Sequence, residues 1–112
     1  MELTEFLHQV TTERLSVEFE QTIGVIDSNF TFTLTAFKNG DVDNEAGQNN
    51  GSCKIFAFAQ MHNLTEAQTL ACFGKFYRHD VLEHPDNDDH QNIRNFIIHG
   101  WNGIEFSAAA LK

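Results

Sequence analysis

The sequence predicts an α+β fold, mainly helical, with about five short helices and a small antiparallel sheet, and three observations carry that prediction. Apolar residues recur mostly at the three-to-four spacing of amphipathic helices. The spacing changes to two over residues 30–37 and again over about 103–108. A lone strand would leave its backbone groups unsatisfied, so these two segments are expected to pair with each other.

Each element has a local reason. Leu3, Phe6, Leu7 and Val10 fall at i, i+3, i+4 and i+7 and open the chain with a short helix. Ser16 offers an N-cap for a second, with Phe19, Ile23, Ile26 and Phe30 on one face. Phe30, Phe32, Leu34 and Ala36 then alternate with Thr31, Thr33 and Thr35, a half-buried strand over about 30–37 that ends at Asn39-Gly40. Residues 38–52 contain only Val42 and Ala46 as apolar side chains. A structureless polar stretch of that length inside a compact domain is usually functional or mobile. Ser52 is read as the cap of a third helix bearing Ile55, Phe56, Phe58 and Ala59. Thr65 and Gln68 make a capping box for a fourth, with Leu64 as its staple and Leu70, Phe73, Tyr77 and Val81 inward. His84-Pro85 stops it, because a residue before proline is pushed out of the helical region. Asp88 and Gln91 read as a second capping box, starting a helix with Ile93, Phe96, Ile97 and Trp101 on one side. Beyond Gly103, Ile104-Glu105-Phe106-Ser107 supplies the last strand.

At 112 residues and 12.7 kDa the chain suits a single domain, 1–112, with a folded surface of roughly 6,200 Å². Eleven Phe and 41% hydrophobic residues provide a core. Seven Lys and Arg against 16 Asp and Glu give a net charge of −9, which phosphate backbones and anionic lipids repel. Nucleic acid and membrane surfaces are therefore not expected partners. The longest uncharged apolar stretch, Ile55 to Met61, is far short of the ~20 residues needed to cross a bilayer. Two cysteines, Cys53 and Cys72, lack metal or redox spacing, and Met1-Glu2-Leu3 lacks a signal-peptide pattern. Reduced thiols in a cytoplasmic protein are expected.

Three runs are distinctive together. One joins Phe37-Lys-Asn-Gly-Asp to Asn44-Glu-Ala-Gly-Gln-Asn-Asn-Gly-Ser-Cys-Lys-Ile-Phe-Ala-Phe-Ala-Gln. The others are Tyr77-Arg-His-Asp-Val-Leu, and His84-Pro-Asp-Asn-Asp-Asp-His-Gln-Asn-Ile-Arg-Asn-Phe with His99-Gly-Trp. From about Phe19 to Leu111 the chain resembles the HopJ family of bacterial type III effectors. That resemblance implies export through a type III system in some members, with a host or bacterial protein as partner. It implies no catalytic residue and no ligand.

Three constellations could carry chemistry. His79, Glu83, His84, Asp86 and His90 lie within twelve residues and offer nitrogen and oxygen ligands to a divalent ion. No EF-hand register fits, since Gln91 or Ala46 would occupy the glycine position, and the ordinary reading is acids at a helix start. Cys53, in the first turn of a helix capped by Ser52, would have a lowered thiol pKa. His90 or His99 could then act as its base, with Asp80 or Asp89 orienting the ring, or Cys53 could simply fill space. Asn49, Asn50, Gly51, Ser52 and Lys54 could cradle an anion ahead of that helix, though the spacing is not that of a phosphate-binding loop and the residues also suit plain turns. The expectation is a small binding or interaction module, a monomer with no cofactor, whose polar recognition surface comes from residues 38–52 and 84–91. The alternative is a small enzyme using Cys53 with a histidine base, or a divalent-metal-binding protein using the 79–90 cluster.

Overall fold

The computed structural model describes residues 2–112, and its helices follow the expected order. Helix α1, Leu3–Thr12, buries Phe6 and Val10, and a single 3₁₀ turn, Arg14–Ser16, leads to α2, Phe19–Asn29. Ser16 is not the cap of α2. Glu18 and Gln21 form a capping box there, while the Ser16 hydroxyl donates to the Glu13 carbonyl at 2.6 Å and closes the turn between the helices.

Helix α3, Asn50–Met61, is the centre of the core. Phe56 meets the rings of Phe37, Phe73 and Phe96 at centroid distances of 6.1, 5.4 and 4.9 Å. Two residues on, Phe58 meets Phe6 and Phe30, both at 5.9 Å. One helix thus gathers rings from α1, the end of α2, the sheet and the helices that follow. Full burial of a side chain of this size contributes roughly 1.5–3 kcal/mol. The accessible surface, 6165 Å², matches the value expected for a well-packed chain of this mass.

The sheet has three strands, not two. β1 (Phe37–Asn39), β2 (Val42–Asn44) and β3 (Ile104–Phe106) are antiparallel in the order β2-β1-β3. Residues 30–36, read as a strand, are extended but outside the ladder except for a bridge between Phe32 and Leu111. The predicted pairing nevertheless holds. Phe37 faces Phe106 and Phe32 faces Leu111, so one antiparallel register runs through both contacts. Between them the ladder opens: the Thr35 hydroxyl turns back to the Thr33 carbonyl at 2.7 Å, a local bond that competes with cross-strand pairing. Residues 38–52, read as one polar stretch, are not structureless: 38–44 belong to a tight hairpin turning at Gly40-Asp41, and 50–52 begin α3.

The expected long fourth helix is two pieces. Thr65 and Gln68 cap α4, Glu66–Ala71, in the capping box read from the sequence. Gly74, at φ +60, then breaks the helix, and a Cβ there would come within 2.6 Å of the Phe19 backbone nitrogen. The chain resumes as a π-helical turn, Phe76–Val81. Leu70, Phe73 and Val81 are buried as expected. Helix α5, Gln91–His99, is capped by His90 at φ +50 rather than by Asp88. Its inward face is Asn92, Ile93, Asn95 and Phe96, whereas Ile97 and Ile98 are 45% and 73% exposed. Trp101 lies beyond the helix, in the 3₁₀ turn Gly100–Gly103, and its indole N–H donates to the Leu64 carbonyl at 3.2 Å. No helix among the described residues is long and apolar enough to cross a membrane.

Candidate functional site

Helix α5 organises both polar segments. On one flank the hairpin docks through asparagines that are buried: Asn39, Asn44, Asn92 and Asn95. Asn44 and Asn92 pair amide to amide, each donating its Nδ2 to the other's Oδ1, at 3.1 and 3.0 Å. Asn39 Nδ2 donates to the Asn92 carbonyl at 2.7 Å and to its Oδ1 at 3.0 Å. Asn49 Nδ2 donates to Asn44 Oδ1 at 2.7 Å, which ties the start of α3 into the same cluster. At the turn, the Asp41 N–H donates to Asn95 Oδ1 at 3.2 Å. Asn39 Oδ1 is the one amide oxygen of these four buried asparagines without a partner among the described residues. Buried polar networks of this kind fix a single geometry, because an unmade bond there costs the desolvation of the group left behind.

Past the hairpin tip stands His99. Its ring packs on Gly40, where a Cβ would lie 2.2 Å from the imidazole, and its Nε2 is 3.5 Å from Asp41. Gly40, at φ +58, is therefore required by both the turn and the close approach.

At the other end of α5, Arg94 clamps the segment before it. Its Nε donates to the Asp89 carbonyl at 2.6 Å, and Nη1 to the Pro85 carbonyl at 3.2 Å. Nη2 reaches the His84 carbonyl at 3.1 Å, the Asp80 carbonyl at 3.4 Å and the Asp89 carboxylate at 2.6 Å. The hydrogen bond from Arg94 holds the Asp89 carboxyl below its usual range. Beside it, His90 Nε2 is 3.0 Å from Asp80 and its ring stacks near Phe76 at 5.1 Å. Asp80, Asp89 and His90 bring potential ligand atoms within 4.8 Å of one another. The Arg94 guanidinium supplies positive charge to Asp89 and to main-chain carbonyls of this segment, and of the five residues read as metal ligands it touches only His84, through the carbonyl.

The other candidates disperse. His79 is hydrogen-bonded to Glu83, the His84 ring packs edge-on to His79 at 5.8 Å, and Asp86 is exposed. Of the five proposed metal ligands only His90 belongs to the close trio. His90 caps the start of α5 and His99 is its last residue, ~13 Å away along the axis, so no single base site contains both. Cys53 is 1% exposed and its thiol donates to the Thr35 carbonyl at 3.6 Å. Burial pushes that thiol up to about 11, the reverse of the lowering expected in a first turn. The reason is the cap: Asn49, at φ +51, starts α3 three residues before Ser52, which places Cys53 one turn in and facing the core. Lys54 turns away from the helix start to Asp27, at 2.8 Å, with its ammonium 5.1 Å from the Phe32 ring. Gly51 is small because the Phe19 ring lies over it, 3.0 Å from where a Cβ would stand. Asn49 joins the amide cluster, and Asn50 and Ser52 lie in the first turn of α3, so the five anion-binding candidates do not converge on one point.

Sequence reading missed the residues that assemble this site: Asn39, Asn44, Asn92, Arg94 and Asn95. A signal exists. Asn92 and Asn95 are three apart and share the face of Ile93 and Phe96, a polar pair within an apolar stripe.

The hairpin's outer surface carries Lys38 directly opposite Asp43 on β2 and Glu105 on β3. An open depression of about 400 Å³ lies here, lined by Ala36, Lys38, Asp43, Glu45 and Glu105, while Phe37 and Phe106 of the alternate row turn their rings to the inner face. Among the described residues none of these three acids is in an ion pair.

Comparison with known proteins places the whole chain in one family. A family model described as HopJ type III effector protein matches residues 3–111. A solved crystal structure, that of the protein VPA0580 of unknown function, superposes with a TM-score of 0.99 at 54% sequence identity, covering 100% of this chain and 93% of that one. No protein with a curated description matches.

Proposed function

Because the chain belongs to the HopJ type III effector protein family, we propose that it acts as an interaction module, exported through a type III system to bind a host protein. Its recognition surface is formed by residues 38–52 and 84–91. The observation that supports this reading is the way one helix immobilises both segments, the hairpin through buried amides and the loop through Arg94. A polar surface fixed before binding loses little conformational freedom on contact, which favours affinity. Side chains 86–88 are exposed, and so are Asp41, Asp43 and Glu45, so what the scaffold presents is acidic.

Photo-cross-linking residues at Asp43, at Asp88 and at Glu20 on α2 test the reading in host-cell extract. The expected result is the same partner captured from Asp43 and Asp88 and absent from Glu20. Equal capture from all three positions, or none from either segment, overturns it.

A further inference from the structure

We infer that His90, Asp80 and Asp89 form a site for one divalent transition-metal ion of the zinc class, held by an imidazole nitrogen and two carboxylates. The site goes beyond the interaction reading and does not depend on it. The three ligand atoms lie within 4.8 Å of one another. His90 Nε2 is 3.0 Å from Asp80 Oδ2 and 3.9 Å from Asp89 Oδ2, so a single ring nitrogen faces both acids. Ligands bonded at ~2.1 Å to one ion stand ~3.0–3.5 Å apart. The side between His90 and Asp80 already has that length. The other two close with a movement of roughly 1 Å by the Asp89 carboxylate, which is half exposed.

Three features separate this trio from exposed acids in general. Its donor set is mixed, and imidazole nitrogen beside carboxylate oxygen favours transition ions over magnesium and calcium, which take oxygen alone. Its ligands are positioned by the fold. Asp80 stands on the π-helical turn Phe76–Val81, a rare geometry concentrated at functional sites, and the His90 ring packs on Phe76 of the same turn at 5.1 Å. Its third feature is a supporting residue. Arg94 Nη2 donates to Asp89 Oδ1 at 2.6 Å, which leaves Oδ2 to face the ring, and reaches the Asp80 carbonyl at 3.4 Å. Hydrogen bonds of this kind orient ligating carboxylates in metal sites. Two carboxylates outweigh the one arginine, and the chain carries −9 overall. On binding, the ion replaces the proton shared between Nε2 and Asp80, which passes to solvent.

Zinc chloride titrated into the ¹⁵N-labelled chain, with calcium chloride in parallel, tests this. Zinc is expected to saturate at one ion per chain with the largest amide shifts at Asp80, Asp89 and His90, and calcium to bind at least tenfold more weakly. His90→Asn removes the imidazole yet suits the left-handed cap, and Asp80→Asn removes one carboxylate. Each should weaken zinc at least tenfold, while His79→Gln combined with His84→Gln leaves it unchanged. Both single positions are partly exposed, so the variants keep the parent's fold, and zinc should raise the Tm of the parent but not of His90→Asn. The inference is overturned by any of four results: no saturable binding, shifts centred on His79, Glu83 and His84, an equal response to calcium, or single variants that bind as well as the parent.

Discussion

Replacing Asn92 with alanine should loosen the hairpin from α5 and cost about 3 kcal/mol. The Asn92 side chain accepts from Asn39 at 3.0 Å and from Asn44 at 3.1 Å, and donates to Asn44 at 3.0 Å. Each such bond contributes about 0.5–1.5 kcal/mol net, and a buried group left unpaired adds to the loss. Partial compensation remains: Asn39 keeps the residue-92 carbonyl at 2.7 Å, and Asn44 keeps the Phe37 carbonyl at 3.4 Å. For a chain of this length, 3 kcal/mol corresponds to a fall of about 12 °C in Tm. Urea unfolding followed by far-ultraviolet circular dichroism would measure it, with an unchanged m-value showing that only stability moved. Gln60→Ala, at an exposed position of α3, serves as the control and should change stability by less than ~0.5 kcal/mol. A cycle combining Asn44→Ala with Asn92→Ala should return a coupling of about 1–2 kcal/mol. If Asn92→Ala costs no more than the control, the amide cluster does not hold the hairpin and the argument for a preorganised surface collapses.

Arg94→Ala should release the 84–90 segment, read as protease cleavage there at concentrations that leave the parent intact, and Arg94→Lys should not restore protection, because a lysine cannot make five divergent bonds. Equal resistance in all three proteins would remove the clamp. The thiols of Cys53 and Cys72, pushed up to about 11 and about 12 by burial, should resist labelling at pH 8, where roughly one Cys53 in a thousand is ionised. Since the native state holds those protons more tightly than an ordinary thiol at 9.0, stability should be flat below pH 9 on their account and decline as pH rises towards 11. Fast labelling of the folded chain contradicts this. Asp89, held low chiefly by Arg94, contributes stability above its ordinary carboxyl value of 3.8 that is lost as pH falls below it. Asp89→Asn should therefore flatten the acid limb of Tm against pH, and parallel limbs would refute the assignment.

Helix starts governed by adjacent residues were legible from the sequence. Thr65 with Gln68 is such a case, because the whole capping box lies within four residues. The antiparallel partnership of the chain's middle with its C-terminal segment was legible too, since unpaired strands are unstable. The hairpin was not. Its inward side chains, Asn39 and Asn44, are polar, as are their partners Asn92 and Asn95, and hydropathy assigns polar residues to the surface. The same rule promoted Ile97 to the core face of α5, where the amides belong. Asn49 and His90 start helices in the left-handed region, so the side-chain capping rules pointed to Ser52 and Asp88 instead. Arg94 escaped notice because its partners are mostly main-chain carbonyls, which leave no trace in composition.

The position of β1 in the middle of its sheet has a consequence for how the molecule is made. Lys38 meets Asp43 five residues on, but meets Glu105 only after 67 more residues have been added. During synthesis the hairpin can close at once, while the far side of β1 stays bare until the distal segment emerges, and a closure of that span is slow. A stalled or clipped product would carry an open strand edge, the feature most prone to sticking to its own kind. The pairing of β1 with β3 thus waits on a strand made long after the hairpin.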